Sequence, residues 1–283
     1  MKRSLPLLAL ALALVLLLCA CGRPSALTEA DPTEAPTETA TEADPVVRVM
    51  FPEGYTAIQI AEKLEESGVC PAADFMEAVK NYSAVQNSYS FLSGVDFSKR
   101  AYALEGYVFP DTYDFYRGES AKNALSRFLK NMNAKATEER IARAKELGYS
   151  FDQIITLASV IQEECGDPKE MANVSSVLHN RLTSPDYGML QCDVTINYVN
   201  DCITDSPYLS GDTSHFAALY NTYKVRGLPE GAICCPGTDA IDAALYPAQS
   251  NNFFFVTDAD MNYYYAATYA EHLDNCRKCG IDV

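Results

Sequence analysis

Residues 150–182 read SFDQIITLASVIQEECGDPKEMANVSSVLHNRL, and this stretch predicts two helices joined by a tight turn. Ser150 and Gln153 have the spacing of a capping box, in which each side chain accepts a hydrogen bond from a free backbone amide at the helix start. From there to Ile161, apolar residues recur at the spacing of one helix face. The sequence therefore predicts an amphipathic first helix whose apolar stripe faces the core.

The second helix of this pair is predicted to follow within a few residues. Gly166 is the expected end of the first helix, because glycine adopts the left-handed conformation that ends many helices. Asp167 and Pro168 have the order of an N-cap and a first helical residue, and Glu170 stands where it would close a second capping box. The second helix is thus predicted to begin at Pro168.

Two acids at the end of the first helix, Glu163 and Glu164, are predicted to point in different directions. Residues three, four and seven apart share a helix face, so Glu164 continues the apolar stripe of Leu157, Val160 and Ile161, whereas Glu163 turns partly toward water. A carboxyl on an apolar stripe loses hydration, which raises its pKa, and the negative end of the helix dipole acts in the same direction. A protonated acid near neutral pH is what a general acid requires. The alternative is a structural glutamate held by an arginine or by backbone amides.

The start of the chain has the pattern of a lipoprotein signal peptide over residues 1–21. Lys2 and Arg3 precede an apolar run that ends in Leu18-Cys19-Ala20-Cys21, which resembles a bacterial lipobox with Cys21 as the lipidated residue. The run is short for a membrane-spanning helix, which needs about 20 apolar residues. An uncleaved signal anchor is the alternative. Both interpretations place the protein at the extracytoplasmic face of the cell membrane.

Residues 22–45 are rich in proline, threonine and acids and contain no aromatic residue. Such a segment buries too little apolar surface to offset its chain entropy, so it is predicted to be a disordered tether. The formal net charge of the whole chain is −16 at pH 7. This charge argues against nucleic acid as a partner and against electrostatic docking on anionic lipid.

The remainder predicts an α+β fold in two parts, residues 46–100 and 101–283. The first part has a strand, a Pro-Glu-Gly turn and a helix capped by Thr56, and the second begins with an aromatic segment typical of a core. Helices come first and short strands later, which favours α+β over a doubly wound sheet. The segments predicted as short strands and turns are GMLQCDVTINYV (188–199), LYNTYKVRGLPEGAICCPG (219–237), FFFVTD (253–258) and NYYYAATYA (262–270).

Six blocks of this chain, in order and with similar spacing, resemble the endolytic murein transglycosylases of the YceG-like family. The part over residues 46–100 is similar to the LysM-like domain of that family, and the resemblance extends to residue 283. The blocks are LEGYVFPDTYDF (104–115), LASVIQEECG (157–166), SSVLHNRL (175–182), LQCDVTINY (190–198), YNTYKVRGLPEGAICCPG (220–237) and FFFVTD (253–258).

The resemblance implies a set of site residues. The catalytic glutamate of the family corresponds to Glu164, and the glutamate that the family carries two residues earlier is Gln162 here, which is a departure. Glycan-binding roles are implied for Gln191, Asp193, Tyr220, Asn221 and Tyr223, with the Gln191 and Asn221 amides holding an N-acetyl group and Asp193 acting as a polar support.

The implied function is that of an endolytic lytic transglycosylase without a cofactor. Such an enzyme cleaves the bond between N-acetylmuramic acid (MurNAc) and N-acetylglucosamine (GlcNAc) within nascent peptidoglycan and forms 1,6-anhydro-MurNAc ends. The implied partners are glycan strands, the membrane through the lipid anchor, and cell-wall synthases. The alternative is a catalytically weak, peptidoglycan-binding lipoprotein, which Gln162 favours.

Other chemistries find little support in the sequence. The three histidines, His179, His215 and His272, form no H-E-x-x-H or i,i+4 pair, so no metal site is predicted from them. Without the signal peptide and Cys21, eight cysteines remain, for which disulfides or free thiols are the favoured states. A zinc site or a redox role for the C-terminal pair Cys276 and Cys279 has weaker support.

Overall fold

Helices and two small antiparallel sheets make up the computed structural model, which describes residues 44–282. Three short 3-10 turns lie between Tyr82 and Leu92, and a π-helical turn, Val199–Thr204, extends the seventh helix. In chain order the elements are β1 (Val46–Met50), α1 (Ala57–Glu66), α2 (Ala72–Lys80), β2 (Thr112–Tyr116), α3 (Ala121–Lys135), α4 (Glu138–Glu146), α5 (Phe151–Glu164), α6 (Met171–Thr183), α7 (Asp193–Tyr198), α8 (Ser214–Tyr220), α9 (Thr238–Leu245), β3 (Phe254–Thr257), β4 (Tyr263–Ala266) and α10 (Tyr269–Lys278). The predicted α+β class is confirmed.

Helix α5 lies at the centre of the core. Every residue from Ile154 to Ile161 is buried, and the helix packs against α4, α6, α7 and α9. The predicted capping box is present, with the Ser150 hydroxyl accepting from the Gln153 amide at 3.1 Å and the Gln153 side chain accepting from the Ser150 amide at 2.8 Å. Burial on all sides makes α5 a rigid support for the residues at its two ends.

The predicted start of α6 is wrong by three residues. The Asp167 carboxylate accepts from the Lys169 amide at 3.0 Å, and the Asp167 carbonyl accepts from the Glu170 amide at 2.9 Å. These bonds close a separate turn, and α6 begins only at Met171. The Glu170 side chain does not close a capping box, because it accepts from Asn173 and from the Tyr265 hydroxyl.

The first sheet pairs β1 with β2 in antiparallel register, with Val46 opposite Tyr116 and Met50 opposite Thr112. On its inner side, the ring of Phe51 packs edge-on against Phe128 of α3 at 5.1 Å. This sheet joins residues on both sides of the predicted boundary at residue 100, and residues 44–283 cluster as one unit. The division into two domains, and the LysM-like character of the first, therefore stay predictions.

Glu105 connects this N-terminal part to the helices that follow. Its side chain is 1 % exposed, and it accepts hydrogen bonds from the backbone amide of Ala57 at 2.9 Å and from the hydroxyl of Tyr198 at 3.3 Å. The Ala57 amide belongs to the first turn of α1, where backbone donors need an external acceptor. Burial raises the pKa of Glu105 to about 7.

The prediction of short strands after residue 188 is partly wrong. The segments at 253–258 and 262–270 do form β3 and β4, which pair antiparallel. The segment around Asp193–Tyr198 is helical instead, because its contacts override the strand preference of its β-branched residues. The hydroxyl of Thr195 donates to the Cys192 carbonyl at 2.8 Å and lies 2.9 Å from that of Thr222.

None of the helices within residues 44–282 has both the length and the apolar character needed to cross a lipid bilayer. The predicted signal peptide, Cys21 and all but the last two residues of the predicted tether lie outside the described residues.

Candidate active site

Glu164 is the last residue of α5 and lines a cleft of about 480 Å³. The inner face of α6 forms one side of this cleft, and the segment that leads into α7 forms another. Phe253 and the β3 residues Phe254 and Phe255, together with Tyr269 and His272 of α10, add an aromatic wall. A carboxyl therefore meets a pocket that combines aromatic and aliphatic side chains with several polar groups, a combination that is typical of ligand sites.

The environment of Glu164 favours its protonated form. Burial raises its pKa to about 7, the negative charges of Asp193 and Glu163 act in the same direction, and a hydrogen bond from the Cys192 thiol opposes them. Within residues 44–282, no ion pair includes Glu164. Glu164 is therefore not a structural glutamate held by an arginine of residues 44–282. At neutral pH, both the acid and the carboxylate are populated.

Glu163 points to a different place. It lines a second cavity of about 350 Å³ with Thr56 and Tyr198, and a carboxylate oxygen lies 3.0 Å from where a Cβ on Gly54 would be. The residue is exposed overall, although desolvation of its carboxyl raises its pKa while a bond with Cys234 lowers it. Adjacent helix positions differ by about 100° in direction, which separates the two acids.

Gln162, the departure from the family pattern, has a structural contact. Its side-chain oxygen accepts a hydrogen bond from the backbone amide of Gly237 at 3.0 Å. Gly237 is the N-cap residue of α9. The amide oxygen thus holds the start of α9 against the end of α5, and this contact needs an acceptor but no negative charge.

Gln191 and Tyr223 line the cleft directly, and Asp193 contacts it through Tyr223. The Tyr223 hydroxyl donates to the Asp193 carboxylate at 2.6 Å. Gln191 has a φ of 57°, in the left-handed region that residues with a side chain rarely adopt. Its backbone amide donates to the Thr222 carbonyl at 3.1 Å, which fixes this conformation beside the cleft.

Two residues that the resemblance implies as glycan contacts, Tyr220 and Asn221, do not line this cleft. The side chain of Tyr220 is fully buried, with its ring 5.4 Å from that of Tyr198, so it touches no ligand in the cleft and supports the core instead. Asn221 is not among the residues that line the cleft. Its side-chain oxygen accepts from the Tyr223 amide at 3.0 Å, which makes Asn221 a turn residue that orients Tyr223.

Arg181 is a site residue that the sequence reasoning missed. It lines the cleft, is 6 % exposed, and donates to the carbonyls of Met189 and Phe253 at 3.0 Å each and to the side-chain oxygen of Gln191. Its position four residues after Val177 puts a charge on the apolar face of α6. This is the same signal that singled out Glu164 on α5.

The aromatic wall was predicted only as strand sequence. Phe254 stacks on the ring of His272 at 5.2 Å and lies 5.8 Å from Tyr269, while Tyr187 packs against Phe253 at 4.9 Å. Such ring faces suit the C–H faces of sugars. The fold places three consecutive phenylalanines at the cleft because β3 runs beside α6 and α10.

The eight cysteines of the described residues are free thiols, and seven of them are buried. Within residues 44–282, no group of three or more histidine, cysteine or acidic side chains is arranged to hold a metal ion. The side chains that line the cleft supply one carboxyl, one guanidinium, one imidazole, one thiol, an amide, hydroxyls and aromatic faces.

Comparisons with known proteins find matches to one family and to two enzymes. The sequence model of a family described as the YceG-like family matches residues 27–278. The chain is 26 % identical over 249 residues to the endolytic murein transglycosylase of Streptococcus pneumoniae serotype 2, a match that covers 81 % of this chain and 44 % of that protein. It is 28 % identical over 179 residues to the endolytic murein transglycosylase of Bacillus subtilis, covering 60 % and 46 %.

The fold also has a counterpart among solved structures. A crystal structure of a yceG-like protein from Listeria monocytogenes superposes with a TM-score of 0.66 at 26 % identity, covering 81 % of this chain and 75 % of that one. The matched part of the chain spans less than half the length of the curated relatives. The similarity therefore includes the fold but only part of the relatives' full length.

Proposed function

Because this chain belongs to the YceG-like family, we propose that it is a peptidoglycan lytic transglycosylase that cuts within nascent glycan strands. One observation carries the proposal: Glu164, with a pKa of about 7 and no cationic partner within residues 44–282, lines a cleft with an aromatic wall. The relatives named endolytic murein transglycosylase supply the substrate class, which comes to this chain as part of the proposal.

Glu164 acts first as the general acid. Its protonated carboxyl gives a proton to the oxygen that links MurNAc to GlcNAc, and the bond from this oxygen to C1 of MurNAc breaks. The raised pKa keeps a proton available at neutral pH, because burial disfavours the carboxylate. The departing sugar leaves with a neutral hydroxyl.

The substrate supplies the groups that a second carboxylate supplies in ordinary glycosidases. Its own 2-acetamido group stabilises the positive charge at C1. Glu164, now a carboxylate, takes the proton of the MurNAc 6-hydroxyl, and the 6-oxygen bonds to C1 to form the 1,6-anhydro ring. No water is consumed, and Glu164 ends the cycle protonated, as it began.

Gln191 and Tyr223 orient the sugar in this scheme. Both line the cleft with Glu164, and Tyr223 is held by its hydrogen bond to Asp193. Asp193 serves as a polar support rather than as a second catalytic acid, because one of its oxygens already accepts from Tyr223. Its negative charge also helps to raise the pKa of Glu164.

The alternative function, a weakly catalytic glycan-binding protein, rested on Gln162. The contact between Gln162 and the Gly237 amide gives this residue a role that a neutral side chain fulfils. The departure from the family pattern therefore gives no reason to expect an inactive site.

We propose further that the chain works at the extracytoplasmic face of the cell membrane, held by a lipid on Cys21 or by a signal anchor. Residues 22–45 would be the tether, residues 46–100 a LysM-like domain, and cell-wall synthases the partners that supply nascent strands. Mass spectrometry of the N-terminal peptide separates the two anchors: a diacylglyceryl group on Cys21 supports the lipid anchor, an intact and unmodified N-terminus supports the signal anchor, and cleavage without lipid contradicts both.

Product analysis tests the proposed reaction. Purified peptidoglycan is digested, and the fragments are examined by mass spectrometry for 1,6-anhydro-MurNAc ends. Glu164→Gln is expected to abolish these ends, whereas the matched control Glu163→Gln retains them because Glu163 lies in the other cavity. Reducing ends alone would show a hydrolase, and binding without any product would favour the glycan-binding alternative.

A further inference from the structure

Arg181 is a buried cation that pairs with no carboxylate in the described part of the chain. Its side chain is 6 % exposed, and none of the ion pairs within residues 44–282 includes it. A buried charge is costly unless its hydrogen bonds are well satisfied. Arg181 directs these bonds to two backbone carbonyls and to the side chain of Gln191. Its stacking over the rings of Tyr187 and Phe254, at 5.8 and 5.6 Å, fixes the plane of the guanidinium.

The contact with Arg181 decides which way the Gln191 amide faces. A guanidinium only donates hydrogen bonds, so it must meet the oxygen of the amide and not its nitrogen. The NH₂ group of Gln191 then lies on the other branch of the amide. Among the described residues, no side chain or carbonyl accepts from that NH₂ group, and Gln191 itself lines the cleft. The N–H donors of Gln191 therefore stay available to a ligand in the cleft that this residue lines.

The backbone of Gln191 is fixed independently of Arg181. Its φ of 57° is held by the bond from its amide to the Thr222 carbonyl at 3.1 Å, and the next amide, that of Cys192, donates to the Thr222 hydroxyl at 3.0 Å. A non-glycine residue in the left-handed region beside a cleft is typical of a functional constraint. The backbone and the side chain of Gln191 are thus restrained by different contacts, and both contacts fix the position of its side-chain amide.

We propose that Arg181 is a positioning residue that locks the Gln191 amide with its N–H donors toward the cleft, so that this subsite selects a carbonyl oxygen. This deepens the proposed function, on which it rests: the carbonyl is that of the 2-acetamido group of the glycan. A de-N-acetylated sugar presents an ammonium instead, which is a cation and a donor. It would meet donors from Gln191 and the positive charge of Arg181, so the subsite excludes it.

Binding measurements separate this inference from the proposed reaction. The full chain with Glu164→Gln is titrated calorimetrically with soluble glycan fragments released from peptidoglycan, either N-acetylated or chemically de-N-acetylated. We expect the N-acetylated fragments to bind on the order of tenfold more tightly or better, since one or two hydrogen bonds and a charge repulsion distinguish the two. Equal affinity for both fragments would overturn the inference, whatever products the active chain forms.

Variants then test the role of Arg181 itself. Arg181→Lys keeps the charge but loses the planar fork, and it is expected to lose most of the acetyl preference. Gln191→Ala should lose the same preference, and the double variant should lose no more than either single one, because the two act as a unit. Arg143→Lys is the matched control, since Arg143 also donates to a carbonyl and stacks on a ring, that of Tyr246, outside the cleft.

Gln191→Glu provides the test that does not depend on Arg181 tolerating substitution. The new carboxylate would still accept from Arg181 but would offer the cleft an acceptor in place of a donor. The preference should then shift by on the order of tenfold toward the de-N-acetylated fragments. If this variant, or a folded Arg181→Lys chain, keeps the acetyl preference of the parent, Arg181 is merely structural and the inference is wrong.

Discussion

The two ends of helix α5 each carry an acid, and the acids have opposite surroundings. Near the N-terminal end, Asp152 receives two hydrogen bonds from the Arg100 guanidinium, at 2.9 and 2.7 Å, and one from the Tyr107 hydroxyl at 2.5 Å. At the C-terminal end, Glu164 has no cation partner among the described residues, and burial raises its pKa to about 7. Arg100 thus compensates the charge of Asp152, whereas Glu164 stays available for proton transfer.

Cavity size alone would have selected the N-terminal end and not the end where we propose the reaction. The cavity that includes Asp152 and Arg100 measures about 710 Å³, larger than the cleft of about 480 Å³ at Glu164. Its most buried charges, however, belong to the ion pair and are already compensated. The difference teaches that an uncompensated acid is a better sign of chemistry than the volume beside it.

The largest expected effect comes from removing the available acid. Glu164→Gln should lower the rate of 1,6-anhydro product formation by about 10²- to 10⁴-fold, the usual contribution of a general acid. Asp152→Asn should keep most of the activity per folded molecule, because it lies about 18 Å away along the helix axis. The turnover of each variant on peptidoglycan measures both effects. A comparable loss of activity in the Asp152 variant would show that the two ends of α5 do not differ in function.

The free energy of unfolding should be affected in the opposite order, with the larger loss in the Asp152 variant. Asp152→Asn leaves the buried Arg100 without its counter-charge, and breaking such a pair costs about 3–5 kcal/mol of unfolding free energy. Glu164→Gln should leave that free energy unchanged or raise it at pH 8, because it removes a desolvated charge. Urea unfolding of the wild type and both variants measures the difference. An Asp152 variant as stable as the wild type would show that the pair contributes little.

The start of α5 and the position of Glu164 could be predicted from the sequence, because they depend on residue spacing within one helix. Capping boxes at Ser150 and Thr268 follow residue spacing, although only the first was predicted, and the stripe that includes Glu164 follows helical periodicity. The start of α6 was missed because a local turn at Asp167 precedes it. The helical state of residues 193–198 was missed because side-chain contacts with a distant segment decided it. Local pattern carries no information on those contacts.

The partners within the site were less accessible. Nothing near Asp152 in the sequence indicates Arg100, which lies 52 residues away, and the pairing of Arg181 with Gln191 depends on how α6 meets the segment before α7. Tyr220 and Asn221 were assigned to the glycan by motif similarity, yet one is fully buried and the other is a turn residue. A motif identifies a segment, whereas the fold decides which of its side chains reach the cleft.

Glu105 sharpens the comparison further, because its pKa is also raised to about 7. It is fully buried and occupied by protein donors, so its proton affects stability instead of catalysis. The raised pKa stabilises the folded state fully below pH 4.5, and this contribution is lost as the pH rises through 7, a change of a few kcal/mol at most.

Glu105→Gln should therefore flatten the dependence of unfolding free energy on pH between 4.5 and 8 without moving the pH–activity profile. Denaturant unfolding at a series of pH values measures the first, and product formation over the same range measures the second. A variant that shifts the activity profile would give Glu105 a part in the reaction that its contacts do not suggest.

The smallest expected effect concerns Cys192. Activity should fall as the pH rises above about 7, because Glu164 must begin protonated, and the Cys192 thiol favours the carboxylate by its hydrogen bond. Cys192→Ala should move this alkaline limb to higher pH by less than about one unit, since a neutral hydrogen bond is worth on the order of 1 kcal/mol. A limb that moves to lower pH would contradict this assignment.

The separation of Glu163 from Glu164 has a consequence for how the molecule tolerates change. Because each residue advances the helix by about 100° and 1.5 Å, a single residue inserted late in α5 would bring a neighbouring side chain to the cleft and turn Glu164 away. The rotation of each residue around the axis of α5 therefore decides which carboxyl faces the cleft and transfers the proton. Length changes within α5 should disable the protein even where every residue of the site is retained, whereas the loops beyond it are free of that constraint.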